Sequence, residues 1–121
     1  MQIHESSENY LETILILKQK IGYVRSVDIA NELSFSKPSV SVAMKNLRLG
    51  GFITVDERGG INLTPSGEKI ARSIYERHVV ISMLLMDLGV SEETARDDAC
   101  KIEHIISEES FQKIKAKYKT I

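Results

Sequence analysis

Three side chains that can bind a metal ion lie close together near the end of the sequence. Cys100, Glu103 and His104 stand at positions i, i+3 and i+4 of a segment, residues 91–106, whose pattern predicts a helix. At about 100° per residue, these positions fall within an arc of about 100° on one helix face. A thiolate, a carboxylate and an imidazole that share a face can bind a transition metal. Because one face supplies only three ligands, the remaining ligands must come from elsewhere in the chain.

The length and composition indicate a small cytoplasmic protein. The chain has 121 residues, of which 42% are hydrophobic, and this suits one compact unit or two small units that share a helix. No apolar run approaches the ~20 residues of a transmembrane helix, and the N-terminus lacks the basic start and apolar run of a signal peptide. The single cysteine excludes an internal disulfide. We therefore expect no membrane association and a thiol that stays reduced.

The charge is distributed unevenly along the chain. The formal net charge is −1, yet residues 34–80 carry seven Lys and Arg against four Asp and Glu, a local net charge of +3. The flanking segments, 1–33 and 81–121, each have a net charge of −2. A basic middle between acidic flanks indicates that the middle of the chain meets a polyanion.

The hydrophobic pattern of the first half predicts a winged helix-turn-helix. Three helices are expected, the third capped by Ser36 with Pro38 in its first turn, where the missing N–H costs nothing. A β-hairpin then turns at residues 57–60. Helix-turn-helix followed by a two-stranded hairpin is the winged-helix arrangement. The predicted elements are helices 7–20, 26–33 and 37–49 and strands 52–55 and 61–63.

The second half is predicted to be helical. Thr64 and Pro65 begin a long helix that reaches Leu88, the helix that carries Cys100 follows, and Ser107 starts a last helix. The fold class is therefore mainly α with a small β-hairpin: a winged-helix DNA-binding domain over residues 1–66, and a helical metal-binding and dimerisation domain over residues 67–121. Helix 67–88 is expected to be shared between the two.

Several motifs, taken in order, resemble one family. They are Glu8–Ile14 in the first helix, Ser36–Ser41 at the recognition helix, Leu63–Gly67 after the wing, Arg77–His78 in the long helix, and Cys100–His104. Together with the winged helix, they resemble the diphtheria-toxin-repressor and manganese-transport-regulator family of metal-dependent transcription repressors. The length is similar to that of members without the additional SH3-like domain. The resemblance implies a regulator and not an enzyme.

The resemblance implies a metal held between the first, fourth and fifth helices. Cysteine at position 100 matches iron-type members, glutamate at position 12 matches manganese-type members, and asparagine at position 9 matches neither, so Glu8 is an alternative there. A thiolate favours Fe²⁺ or a related thiophilic ion first and Mn²⁺ second, with Zn²⁺, Co²⁺ or Ni²⁺ as further ions that would bind in vitro. The implied ligands are Glu12, His78, Cys100, Glu103 and His104, with Asn9 at a sixth position.

The resemblance also implies that a homodimer binds a palindromic double-stranded DNA operator and controls metal-homeostasis genes. Serine hydroxyls of the recognition helix can hydrogen-bond to bases or phosphates, and a proline ring can contact a thymine methyl group. Lysine and arginine side chains, one of them at the wing tip, would contact phosphates. The predicted DNA-binding residues are Ser36, Lys37, Pro38, Ser39, Ser41, Lys45 and Arg58.

Two other functions stay open. One is a metal-independent winged-helix regulator that senses thiol oxidation through Cys100. The other is a zinc hydrolase that uses Cys100, His104 and His78. Short loops and the lack of an obvious general base in a cleft disfavour the hydrolase, and no small-molecule substrate is expected.

Overall fold

A computed structural model describes residues 5–118. Within that range the chain forms six α-helices and one two-stranded antiparallel sheet, which confirms the predicted fold class. No helix among these residues is long and apolar enough to cross a lipid bilayer. The elements in chain order are α1 (Glu5–Ile21), α2 (Ser26–Leu33), α3 (Lys37–Leu49), β1 (Ile53–Val55), β2 (Ile61–Leu63), α4 (Pro65–Asp87), α5 (Glu92–Ile102) and α6 (Glu108–Tyr118).

The chain divides into two units, and the division falls within α4. The first unit is Met1–Arg72 and the second is Ser73–Ile121. The sequence-based division at residues 66 and 67, with a shared helix, stays a prediction. The core of the first unit is built from apolar side chains of α1, α2, α3 and both strands, among which Leu11, Ile14, Ile29, Val40 and Ile53 are almost fully buried.

The helix-turn-helix is fixed by local signals at its turn. Ser34 adopts a left-handed conformation with φ of 57°, which ends α2. The Ser36 hydroxyl then accepts a hydrogen bond of 3.3 Å from the Ser39 backbone N–H. This confirms the predicted cap of α3, and it sets where the recognition helix starts.

The wing is held in shape by Asp56. Its carboxylate accepts hydrogen bonds from the backbone N–H groups of Arg58 at 2.9 Å and Gly60 at 2.8 Å, and from the Tyr23 hydroxyl at 2.9 Å. The Gly60 N–H is the main reason that the pKa of Asp56 lies below its ordinary value. The charged carboxylate therefore orders the turn that presents Arg58.

Gly67 allows α4 to start against the wing. A Cβ atom at this position would overlap the Phe52 carbonyl oxygen, which also accepts a hydrogen bond of 3.1 Å from the Thr64 N–H. We expect Gly67→Ala to destabilise the protein by about 1–3 kcal/mol, because backbone cannot move aside as a flexible side chain can. Urea unfolding would measure this. Ser66→Ala, an exposed neighbour, should stay within about 0.5 kcal/mol of the parent, and equal stability of the two variants would contradict the packing argument.

The helix that carries Cys100 is shorter than predicted. α5 ends at Ile102, so the expectation that Glu103 and His104 lie inside a helix reaching Ile106 is wrong. The Glu103 N–H still bonds to Ala99 O at 2.9 Å, which keeps Cys100 and Glu103 in helical register, but the Ile105 N–H bonds to Ile102 O at 3.0 Å, a tighter i−3 bond. His104 therefore stands in a tight turn that leads into α6.

Candidate functional site

The second unit brings three potential metal ligands together. His78 comes from α4, Cys100 from the last turn of α5, and Glu103 from the residue directly after α5. One donor atom from each lies within 4.8 Å of the others. We call these three residues the candidate metal cluster.

The imidazole of His78 lies between the other two donors. Its Nδ1 atom is 3.0 Å from Glu103 Oε2 and 3.8 Å from Cys100 Sγ. On the other side of the carboxylate, His104 Nε2 lies 3.3 Å from Glu103 Oε1. The structure thus places four of the predicted ligands side by side in one unit.

Glu103 is buried to an unusual degree for a carboxylate. Its side chain is 0% exposed, whereas His78 is 21% exposed and Cys100 is on the surface. Burying a carboxylate is costly unless charge and hydrogen bonds compensate it. Among the described residues, Glu103 Oε1 has no hydrogen bond, although His104 Nε2 lies 3.3 Å from it. A buried acceptor of this kind suits a cation.

The cluster also determines the protonation of His78. As acceptors of the imidazolium N–H, the Cys100 sulfur and then the Glu103 carboxylate raise the pKa of His78 to about 10, against the opposing effect of burial. A metal binds the neutral ring, so a proton and a metal ion compete for this imidazole.

The donor set fits a divalent transition metal. Donors at about 2.0–2.3 Å from a common ion lie roughly 3–4 Å from one another, and the 3.0 and 3.8 Å separations fall in that range. Sulfur, nitrogen and oxygen donors in one site suit iron, cobalt, nickel or zinc better than calcium or magnesium. The residues present can therefore hold the metal that the resemblance implies.

The other two predicted ligands lie in the first unit. Glu12 is buried in α1 with 5% exposure, and Asn9 and its alternative Glu8 are half-buried in the same helix. Fully buried glutamates are rare, so the burial of Glu12 is notable. The contribution of Glu12 and Asn9 to a metal site stays a prediction from the resemblance.

The predicted DNA-binding residues lie on the surface of the first unit. Pro38, Ser41 and Lys45 share one face of α3, since they stand three and seven positions apart. All seven residues are exposed: Ser36, Lys37, Pro38, Ser39, Ser41, Lys45 and Arg58.

The sequence reasoning missed two residues of this surface. Val42 is 60% exposed although it is apolar, and it stands four positions after Pro38 on the same face. Its position outside the inward stripe of α3 was the signal that could have found it. Arg25 lies against Gly59 of the wing, and no local pattern connects residues so distant in the chain.

A helix-turn-helix with a wing, followed by helices that bear a cluster of potential metal ligands, is typical of a metal-responsive transcriptional regulator. The chain belongs to the iron-dependent repressor family. Residues 2–61 match the family's N-terminal DNA binding domain, and residues 64–121 match its metal binding and dimerisation domain.

Known proteins similar to this chain are regulators. It is 41% identical over 107 residues to the transcriptional regulator MntR of Salmonella typhimurium, covering 88% of this chain and 68% of that protein. It is 35% identical over 109 residues to the HTH-type transcriptional regulator MntR of Lysinibacillus sphaericus, covering 90% and 78%. These relatives confirm the predicted family and class, and they set the zinc hydrolase aside.

Solved structures show the same fold. The manganese regulator SloR has a TM-score of 0.82 and 28% identity, and IdeR of T. acidophilum has a TM-score of 0.81 and 28% identity. Each match covers 98% of this chain and 55% of the other, so this chain spans about half the length of these two structures.

Proposed function

We propose that this protein is a metal-activated transcriptional repressor that binds a palindromic operator as a homodimer in the cytoplasm and controls metal-homeostasis genes. The observation that carries the proposal is the candidate metal cluster, which lies in the segment that matches a metal binding and dimerisation domain. The winged helix in the other segment supplies the DNA-binding surface.

Four residues of the second unit would hold the metal. His78, Cys100 and Glu103 supply one donor each, and His104 faces the carboxylate oxygen that lacks a hydrogen bond. A bound divalent ion supplies the positive charge that these donors share. The resemblance adds Glu12, and Asn9 at a sixth position, from the first unit.

Cys100 favours Fe²⁺ over Mn²⁺ in this site. A thiolate is a soft ligand, and manganese prefers carboxylate and carbonyl oxygen. The names of several solved relatives instead point to manganese, and one structure of ScaR contains Zn²⁺. We therefore place Mn²⁺ second, and Zn²⁺, Co²⁺ and Ni²⁺ as ions that would bind in vitro.

The proposed ligands belong to both units, and this gives metal binding an effect on DNA binding. Ligation by Glu12, which the resemblance implies, would order the first helix of the DNA-binding unit when metal binds. The conformational entropy lost on ordering would then be lost when metal binds, and DNA binding would no longer have to offset it. Coupling of this kind is typically about 1–3 kcal/mol, or about 5–150-fold in affinity.

Calorimetric titration of oxygen-free protein with Fe²⁺, Mn²⁺ and Zn²⁺ tests the metal site. We expect saturable binding of each ion, with Fe²⁺ bound more tightly than Mn²⁺. Absence of saturable binding for all three ions would contradict the proposal.

Lys37 and Val42 should contribute to DNA binding in different ways. Lys37→Ala should weaken binding to all sequences alike and lower the slope of log affinity against log salt by about 1, because lysine neutralises a phosphate. Val42→Ala should leave that slope unchanged and weaken only sequences that place a thymine methyl group beneath it. Fluorescence anisotropy at several salt concentrations measures both effects. A loss for Lys37→Ala that is confined to one sequence would contradict its role.

A thiol-sensing regulator is the second candidate. Cys100 is exposed, so an oxidant can reach its Sγ atom, which lies 3.8 Å from an imidazole nitrogen of His78. Oxidant-responsive DNA binding that survives Cys100→Ser would exclude this alternative.

A further inference from the structure

Arg77 makes three polar contacts around the end of α5. It lies on α4 directly before His78. Its Nη1 donates to Glu103 O at 3.3 Å and to Ile106 O at 2.8 Å, and its Nη2 donates to Glu108 Oε2 at 2.7 Å. One guanidinium therefore joins α4, the turn after α5 and the first turn of α6.

The two contacts with backbone carbonyls are partly shielded from solvent, whereas the contact with Glu108 lies on the surface. The Arg77 side chain is 13% exposed, and its guanidinium carbon lies 5.2 Å from the ring centroid of Phe111, which is 2% exposed. Hydrogen bonds and cation–π contacts are stronger where water is excluded. The Arg77 side chain is thus largely covered by other residues of the second unit.

The two carbonyls that accept from Arg77 lie at either end of the turn that contains Glu103 and His104. Carbonyl groups at a helix end lack intrahelical partners, and a basic side chain can satisfy them. The same guanidinium fixes the backbone of Glu103 while the Glu103 carboxylate points at His78. Because Arg77 and His78 are consecutive, α4 positions both the imidazole and the turn that faces it.

We propose that Arg77 is a positioning residue for metal binding, which holds the 103–106 turn so that the Glu103 carboxylate meets the His78 imidazole. The inference rests on the proposed metal site. Outer residues that orient metal ligands commonly change metal affinity by about 10–100-fold when they are removed. It also makes metal affinity depend on α6, through Glu108.

Arginine is required because it can form all three contacts at once. Its planar fork presents several N–H donors in fixed directions, whereas a lysine ammonium is a single point of charge. Arg77→Lys keeps the charge and one nitrogen that could donate to Glu103 O and Ile106 O, but it loses the second nitrogen that reaches Glu108. We therefore expect only partial rescue by lysine.

Cobalt titration of the full chain under anaerobic conditions tests the inference. Thiolate-to-cobalt absorption reports Cys100, and the ligand-field bands report the coordination of the whole site. We expect Arg77→Gln to weaken Co²⁺ binding by about 10–100-fold and to alter the ligand-field bands, with an intermediate effect for Arg77→Lys. The thiolate absorption should persist, because Cys100 lies within the helical register of α5. A residue that only stabilised the fold would change the melting temperature and leave the cobalt spectrum as it is.

Arg96→Gln is the matched control. Arg96 lies in the same unit, is 63% exposed and pairs with Glu92 at 3.1 Å within α5, so its removal should leave affinity and spectrum unchanged. Affinity and spectrum of Arg77→Gln equal to those of Arg96→Gln would overturn the inference.

A second variant covers the case in which Arg77→Gln does not fold. Glu108→Gln removes the negative charge from the Nη2 contact and from the neighbouring contact with Gln112, and it leaves both carbonyl contacts of Arg77 in place. It should weaken Co²⁺ binding by about two- to fivefold, as loss of an exposed ion pair does. Unchanged binding in Glu108→Gln would then overturn the inference. Absence of thiolate-to-cobalt absorption in the parent protein would contradict the proposed metal site itself. If the parent shows this absorption and the Arg77 variants bind Co²⁺ as the parent does, only the role of Arg77 is contradicted.

Discussion

Glu103→Ala is expected to abolish the stimulation of DNA binding by metal and to leave the protein folded. The Glu103 side chain is 0% exposed, one of its oxygens lies 3.0 Å from His78, and the other has no hydrogen bond among the described residues. Removing it takes away the donor that is best shielded from water. The metal-dependent gain in affinity, about 5–150-fold in coupled systems, should fall to none.

Gel shifts with and without metal measure this effect, and circular dichroism checks the helices. Glu103→Gln, which keeps the side-chain volume, should behave in the same way as the alanine variant. Glu93→Ala removes an exposed carboxylate from the first turn of α5 and should keep the full metal response. A normal metal response in both Glu103 variants would show that this carboxylate is not a ligand.

Cys100→Ser is expected to change which metal the protein prefers. The hydroxyl is close to the thiol in size, and residue 100 is exposed in the last turn of α5, so the fold should persist. Binding of Fe²⁺ and Co²⁺ should weaken by more than the roughly 10–100-fold that loss of an outer hydrogen-bond partner costs. The affinity for Mn²⁺ should fall by less, because a thiolate ligand contributes less to the binding of manganese than to that of iron.

Competition titrations of the variant and the parent give the ratio of Fe²⁺ to Mn²⁺ affinity. Thr94→Ser, an exposed change in the same helix, should keep the parental ratio. Equal losses for iron and manganese in Cys100→Ser would mean that the thiolate does not select the metal.

Much of the fold could be predicted because its signals are local. Ser36 caps α3 and Thr64 caps α4, and in both cases the side-chain oxygen accepts from the backbone N–H three residues on. The predicted ranges of α2, α3 and β2 agree with the structure. Caps, prolines and apolar spacing act over a few residues, so the sequence alone displays them.

The end of α5 could not be predicted because a distant residue contributes to it. The apolar residues Ile102, Ile105 and Ile106 continue a helical pattern past the point where the helix ends. The carbonyls of Glu103 and Ile106 bond instead to Arg77, which is 26 and 29 residues away in the chain. No local pattern reveals that contact.

Some residues of the candidate site could be predicted from the sequence and others could not. The spacing of Cys100, Glu103 and His104 pointed to a metal from the residues alone, whereas His78 came from the family resemblance. The burial of Glu103 depends on packing, and only the structure shows it.

The most direct test of the account is the DNA affinity of anaerobically purified protein with and without metal. Fluorescence anisotropy would use duplexes enriched from a random-sequence pool by the protein in the presence of Fe²⁺. We expect binding to tighten by about 5–150-fold with Fe²⁺, to a smaller extent with Mn²⁺, and to return to the metal-free value after chelation. DNA affinity that is the same with Fe²⁺, with Mn²⁺, with Zn²⁺ and without metal would contradict the claim that this protein is a metal-activated repressor.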